Sequence, residues 1–106
     1  MINFILFFTE VLHFSRGLIA VEKQIRVGEM EKRFDIVVYD KNMRPFIVTE
    51  CKEPSVNLSG ATLQPVLRYN IHLAAPYLCI TNGNFTFAFR NEGEIFDEIL
   101  ALPRPA

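Results

Sequence analysis

The sequence predicts an α/β fold in which a mixed β-sheet of about five strands is flanked by helices. Two runs, residues 34–39 and 46–52, place β-branched and aromatic side chains on both alternating faces, as expected for strands that are covered on each side. Residues 63–74 instead repeat their apolar side chains near helical spacing. Half of the 106 residues are hydrophobic, so residues 1–106 are predicted to form a single domain with one core.

The first predicted element is a buried helix over residues 2–14, which are apolar almost all round. This stretch is shorter than the ~20 residues that cross a membrane, and it lacks the basic start of a secretory signal. Residues 15–17 would end the helix, and residues 19–27 would form the first strand. The abrupt apolar start indicates a helix shortened at its N-terminus, or one that packs against a partner such as a second copy of the chain in a homodimer.

The two central runs are predicted to form an antiparallel hairpin, since the residues between them are polar turn formers followed by Pro45. A symmetric turn pairs Tyr39 with Phe46 and Val37 with Val48. The same register brings the charged ends of the two strands together.

Three charged residues lie at that end of the hairpin. The register places Asp35 opposite Glu50, with their Cβ atoms about 5 Å apart. Lys52 shares the face of Glu50, because side chains alternate with period two. One lysine does not neutralise two facing carboxylates, whereas a divalent cation such as Mg²⁺ would, with water and phosphate as its other ligands. Solvated strand ends with no such role explain the same charges equally well.

A second helix is predicted to end near Ala74, and its start depends on Pro65. A helix that begins near Gln64 holds Pro65 in its first turn, whereas a helix that begins at Ser59 is kinked by it. Residues 76–81 follow as a continuously apolar strand. This strand is predicted to lie parallel to a neighbour, because a helix leads into it.

The last part of the chain predicts a hairpin and a short helix. The sequence Asn-Gly-Asn at residues 82–84 is a strong turn signal, and residues 85–90 form the returning strand. Residues 94–102 are predicted to form a short C-terminal helix before Pro103. The predicted order of elements is therefore α-β-β-β-α-β-β with a short C-terminal helix.

The charged hairpin resembles the PD-(D/E)xK signature of restriction-endonuclease-like nucleases, because Phe34-Asp35 is followed after fourteen residues by Glu50-Cys51-Lys52. Similar stretches of sequence surround it, at residues 19–27, 32–40, 48–54, 68–70 and 75–83. In that order they resemble the N-terminal domain of the R subunit of type I restriction enzymes and its small stand-alone relatives. The similarity covers nearly the whole chain.

This resemblance implies a metal-dependent DNA endonuclease. Asp35 and Glu50 would bind Mg²⁺, or Mn²⁺, together with the carbonyl group of Cys51. Lys52 would orient or deprotonate the attacking water and counter the charge that grows on the phosphate.

Other family positions differ in this chain. The relatives carry a metal-binding glutamate on their first helix that has no counterpart here; Glu10 or Glu22 would substitute for it, or both are surface charges. By the same resemblance Gln64, Arg68 and Tyr69 would lie on the substrate side. Their alternative role is structural, as partners of surface acids and as core.

Composition keeps a second interpretation open. A net charge of −1 gives no general attraction to nucleic acid. A catalytically weak or inactive module that keeps the nuclease fold and binds DNA or a protein fits the same residues, as does a structural role with the first helix as a dimer interface. The expected partners are DNA and other restriction-modification subunits, and no membrane. Cys51 and Cys79 lie inside apolar runs and are predicted to be buried thiols of the reducing cytoplasm.

Overall fold

The computed structural model describes residues 3–105, and six strands among them form one mixed sheet. The strands are β1 (Ile19–Val27), β2 (Met30–Tyr39), β3 (Pro45–Cys51), β4 (Tyr77–Thr81), β5 (Thr86–Asn91) and β6 (Phe96–Ile99). Their order in the sheet follows their order in the chain. β3 and β4 are parallel, and all other neighbours are antiparallel. The sheet is therefore open, with β1 and β6 at its edges.

Helical segments cover both faces of this sheet, as the sequence predicted. On one face α2 (Gly60–Tyr69) contributes Leu63 and Val66 to a core cluster that includes Val37 and Val48. On the other face α1 (Asn3–Leu6) continues as a π-helical turn (Phe7–Val11). The buried residues of this second cluster are Phe8, Leu12, Phe14, Ile36, Val38, Ile47, Cys79, Ala88 and Leu102. Each strand of the hairpin β2–β3 is thus covered on both sides.

The first helix ends earlier than predicted. Ile2 lies outside the described residues, and the helical segment stops at Val11 rather than at Phe14. His13 takes a positive φ of 66°, and the N–H group of Phe14 then donates to the carbonyl oxygen of Phe8 at 2.9 Å. This left-handed residue ends the helix before residues 15–17 are reached. Val11 is exposed, and self-association through this helix stays a prediction.

The second helix begins at Gly60 and holds Pro65 in its interior. The helix tolerates Pro65 because the carbonyl group left without a partner is that of Ala61, which is exposed to water. The predicted end near Ala74 is wrong, because the helix stops at Tyr69. Asn70 follows it as a buried residue whose side chain is used elsewhere. The helix connects β3 to the parallel strand β4, as predicted from the sequence.

The predicted C-terminal helix over residues 94–102 is wrong, because Phe96–Ile99 forms β6. Gly93 and Glu94 both have positive φ, of 79° and 61°, which is the backbone of a two-residue hairpin turn. The N–H group of Glu92 donates to the carbonyl oxygen of Ile95 at 2.8 Å and closes this turn. Residues 3–105 therefore form six strands rather than the predicted five. The preceding hairpin, which turns at Gly83, is confirmed.

Candidate functional site

The register of β2 and β3 was predicted in part. Val37 pairs with Val48, as expected, but a bulge between Val38 and Tyr39 pairs Tyr39 with Pro45 rather than with Phe46. The last residue pair at the other end is Ile36 with Thr49. There the carboxylate of Asp35 continues the contact between the strands, since its Oδ2 atom accepts a hydrogen bond of 2.7 Å from the N–H group of Cys51.

The hairpin β1–β2 bends at Asp35. Phe34 packs in the α2-side cluster with Val37, whereas Ile36 between them belongs to the α1-side cluster. Strict alternation would place Phe34 and Ile36 on one face. Across the ladder, Glu22 of β1 has a positive φ of 48°, an unusual conformation for this residue type. The end of the hairpin therefore folds over the α2 face, and this brings Lys32 above β3.

Glu50 lies beneath that folded end, with its side chain only 12% exposed. Its Oε1 atom forms an ion pair with the Nζ atom of Lys32 and accepts a hydrogen bond of 3.2 Å from the Nδ2 atom of Asn70. Its Oε2 atom lies 3.9 Å from the Nζ atom of Lys52. Both oxygens of this carboxylate thus face positive charge or a hydrogen-bond donor.

Asn70 and Lys32 are members of the site that the residue pattern did not identify. Asn70 is fully buried, and its Nδ2 atom also donates to the carbonyl oxygen of Val66 at 2.8 Å. Its Oδ1 atom lies 3.4 Å from the Nζ atom of Lys32, so the amide bridges the helix end, the lysine and Glu50. A polar residue directly after the last helical residue was the available signal for Asn70.

A cleft of about 310 Å³ opens beside these residues, at the carboxyl ends of β3 and β4. Asp35 and Lys52 line it, and the turn after β4 forms its other wall through Thr81 and Gly83. That wall is held in place, since Asn82 donates to the carbonyl oxygen of Val56 at 2.8 Å. The cleft therefore presents two carboxylates, of Asp35 and Glu53, and the ammonium group of Lys52 between backbone segments.

The pKa of the Cys51 thiol depends on the charges around it. Burial raises the pKa of its thiol to about 11, and the negative charges of Asp35 and Glu50 add to this rise. Both carboxylates therefore act electrostatically on one residue, although only Asp35 lines the cleft. Burial also raises the pKa of Cys79, to about 12. The two thiols are free, and these raised pKa values keep both of them mainly protonated at neutral pH.

The residues predicted on the substrate side lie elsewhere on the surface. Gln64 and Arg68 line a second cavity together with Glu94 and Phe96, and this cavity shares no lining residue with the cleft. Tyr69 is 75% exposed. A direct role for these side chains beside Asp35 stays a prediction.

Neither proposed substitute for the helix glutamate lies in this group of residues. Glu10 is exposed on the π-helical turn. Glu22 forms an exposed ion pair of 3.5 Å with Arg33. Both fit the alternative of surface charges.

The donor set fits a magnesium ion that keeps most of its water. Residues 3–105 contain no group of three His, Cys, Asp or Glu side chains able to hold a metal. Mg²⁺ does not require one, because one or two carboxylates with water and phosphate are its usual ligands in proteins. Asp35 accepts a hydrogen bond from Cys51, and Glu50 lies near enough to act on the Cys51 thiol, so the candidate donors are two carboxylates and the carbonyl group of Cys51.

Comparison with known protein families gives a match that covers nearly the whole chain. Residues 3–103 match the family described as the type I restriction enzyme R protein N terminus (HSDR_N). The chain belongs to this family. No curated protein and no solved structure gives a significant match.

Membership of the R protein N-terminus family confirms the resemblance, which was predicted to cover about residues 2–90, and places the chain in the context of restriction and modification. None of the helices within residues 3–105 has the length and apolar character needed to cross a bilayer.

Proposed function

We propose that this R protein N-terminus domain is a metal-dependent DNA endonuclease of the PD-(D/E)xK type. The observation that carries the proposal is the hydrogen bond between Asp35 and the N–H group of Cys51. It fixes the acid of one strand against the Glu50-Cys51-Lys52 segment of the next, at the mouth of a cleft. Family membership supports the same conclusion.

The proposed roles of the site residues follow from their chemical groups. Asp35 and Glu50, with the carbonyl group of Cys51, would hold Mg²⁺, and Mn²⁺ would substitute for it. When bound, the ion supplies Lewis-acid activation of a phosphate oxygen. Lys52, which is 36% exposed and lines the cleft, orients the attacking water and offsets the negative charge that develops on the phosphate. Burial of Glu50 by Lys32 and Asn70 fixes its carboxylate in one orientation.

The expected partners follow from the family. DNA is the substrate, and other restriction-modification subunits select its sequence. A net charge of −1 leaves the domain without broad attraction to DNA, so substrate delivery by such partners is part of the proposal. Gln64 and Arg68, which line a different cavity, and the exposed Tyr69 would contact DNA beyond the cleft.

The test is cleavage of supercoiled plasmid DNA by the purified protein. We expect nicking when MgCl₂ is supplied, because one or two carboxylates with water and phosphate are the usual ligands of Mg²⁺. Chelation with EDTA should stop it, and Asp35→Asn should abolish it while the variant remains folded. Lys41→Asn, an exposed change outside the cleft, serves as the control. Cleavage that persists in EDTA would refute the proposal.

One observation favours a second function, a nuclease-fold module that binds DNA or protein without efficient chemistry. The Glu50 carboxylate is already paired with Lys32 and Asn70, so its charge is compensated without a metal. Calorimetric titration separates the two functions, because the second predicts no heat of binding with Mg²⁺ or Mn²⁺ at millimolar concentration.

A further inference from the structure

Four charged residues lie close to Cys51 or contact Glu50, and Glu53 adds a further carboxylate at the cleft. Asp35 and Glu50 contribute two negative charges, and Lys32 and Lys52 contribute two positive charges. Both lysines lie against Glu50, one at each carboxylate oxygen. A divalent cation that approaches Glu50 therefore meets a carboxylate whose charge two lysines already compensate.

We propose that Lys32 is an internal counter-ion that competes with the divalent cation for Glu50 and must move away when the metal binds. The inference rests on the proposed function, because it concerns the same metal site. It assigns to Lys32 a positioning role: the residue holds Glu50 in the metal-free protein and limits the affinity for metal.

The contacts identify Lys32 as the mobile partner of Glu50 and Asn70 as the fixed one. Asn70 is fully buried and anchored to the carbonyl oxygen of Val66 at 2.8 Å. Lys32 is 28% exposed, and it approaches Glu50 from the end of the folded hairpin. Its long side chain can swing to solvent without disturbing the core. Its ammonium group also lies 5.2 Å from the centre of the Phe34 ring, a contact that adds to its attraction in the metal-free protein.

Electrostatic repulsion predicts that Lys32 weakens the binding of a metal ion to Glu50. A carboxylate that is 12% exposed needs a partner of opposite charge, and Lys32 supplies it in the absence of metal. An ammonium group and a metal ion at the same Oε1 atom repel each other, so each weakens the binding of the other. Removal of the Lys32 charge should then strengthen metal binding and weaken the metal-free fold.

The experiment is calorimetric titration of the protein with MgCl₂ alone, at neutral pH and without DNA. Lys32→Met keeps the apolar stem and removes the charge, and we expect it to bind Mg²⁺ about fivefold or more tightly than the wild type. Lys32→Arg keeps the charge and should bind as weakly as the wild type. Lys23→Met is the matched control, because Lys23 is an exposed residue of the same hairpin, and it should leave the affinity unchanged.

Thermal unfolding provides a second measurement. The quantity of interest is the difference in unfolding temperature between the wild type and Lys32→Met, which a purely structural role would leave the same with and without Mg²⁺. In EDTA, Lys32→Met should unfold at a lower temperature than the wild type. In MgCl₂ the difference should shrink, because the ion replaces the missing charge. A difference that is equal in both solutions would show that Lys32 only supports the fold and would overturn the inference.

The remaining outcomes separate this inference from the proposed function. If the wild type binds Mg²⁺ and Lys32→Met binds it no more tightly, the competition is rejected while the metal site stands. If neither protein binds Mg²⁺ at millimolar concentration, both the competition and the metal-dependent nuclease are rejected.

Discussion

The Oδ2 atom of Asp35 accepts a hydrogen bond of 2.7 Å from the backbone N–H group of Cys51. This bond lies where the regular pairing of β2 with β3 has ended at Ile36 and Thr49. A side chain thus replaces the backbone acceptor that the bent strand β2 no longer offers. The acid is therefore positioned by the neighbouring strand as well as by its own.

Substitution of Asp35 tests this contact. Asp35→Ala leaves the N–H group of Cys51 without its acceptor, and we expect the free energy of unfolding to fall by about 1–2 kcal/mol. Asp35→Asn keeps an oxygen atom at the same place, so its free energy of unfolding should fall clearly less. Urea denaturation followed by circular dichroism measures both. Equal stability of the two variants would show that the bond does not support the fold.

The sequence predicted the elements whose pattern is local. Residues 19–27 form β1 as expected, and the hairpin at Gly83 follows from its turn residues. The site residues Asp35 and Glu50 were expected at adjacent strand ends because period-two alternation and a short turn determine which ends meet. The Gly93 turn was the missed local signal, because it indicates a hairpin at the place where residues 94–102 were predicted to form a helix.

The bend of the first hairpin was not predictable in the same way. A pattern of alternating residues describes a straight strand, and it cannot show that Phe34 and Ile36 face different cores. That bend brings Lys32 to Glu50. Sequence reasoning therefore gave neither Lys32 nor Asn70 a role in the site, although both contact the predicted metal ligand Glu50.

Asn70 should be important for stability as well as for the site. Asn70→Ala removes a fully buried amide that bonds to Glu50 and to Val66, and we expect a loss of about 1–3 kcal/mol in the free energy of unfolding. Asn57→Ala, at an exposed position before the same helix, is the control and should change stability little. Chemical denaturation of both variants makes the comparison. A loss of unfolding free energy no larger than that of the control would show that the hydrogen bonds of Asn70 do not stabilise the fold.

Two glycines allow the effect of backbone strain to be separated from the effect of steric contact with a neighbouring side chain. Gly28 and Gly93 both have positive φ, of 63° and 79°, so alanine is strained at either position by about 1 kcal/mol. At Gly28 an added Cβ atom would also lie 3.1 Å from the Cβ atom of His72, whereas Gly93 faces open space. We therefore expect Gly28→Ala to be the more destabilising variant in thermal unfolding. The reverse order would contradict the close approach of the β1–β2 turn to His72.

The Cys51 thiol should react slowly and show the charges around it. Its pKa of about 11 leaves little thiolate at pH 8, so alkylation by iodoacetamide should be slower than that of free cysteine. Asp35→Asn removes one of the charges that raise this pKa and should speed the reaction. Both measurements use a Cys79→Ala background, so that only Cys51 is labelled. Equal rates with and without the Asp35 charge would refute the electrostatic contribution.

The same shift predicts how stability depends on alkaline pH. The unfolded thiol ionises at its ordinary pKa of 9.0, whereas the folded thiol of Cys51 ionises at about 11. The contribution of the neutral thiol to folding is therefore complete below pH 9 and is lost as pH rises through 11. Urea midpoints measured from pH 8 to pH 11 should fall, and the fall should be smaller in Cys51→Ala.

Lys52 separates chemistry from binding in the proposed nuclease. Lys52→Met removes the ammonium group that lines the cleft but leaves Asp35 and Glu50 in place, so plasmid cleavage should drop by about 100-fold or more. Binding of Mg²⁺ should be equal or tighter, because a positive charge 3.9 Å from Glu50 has been removed. Lys41→Met provides the matched loss of an exposed lysine outside the cleft, and it should cleave as the wild type does. Parallel loss of metal binding and cleavage in Lys52→Met would instead assign this lysine to the fold of the site.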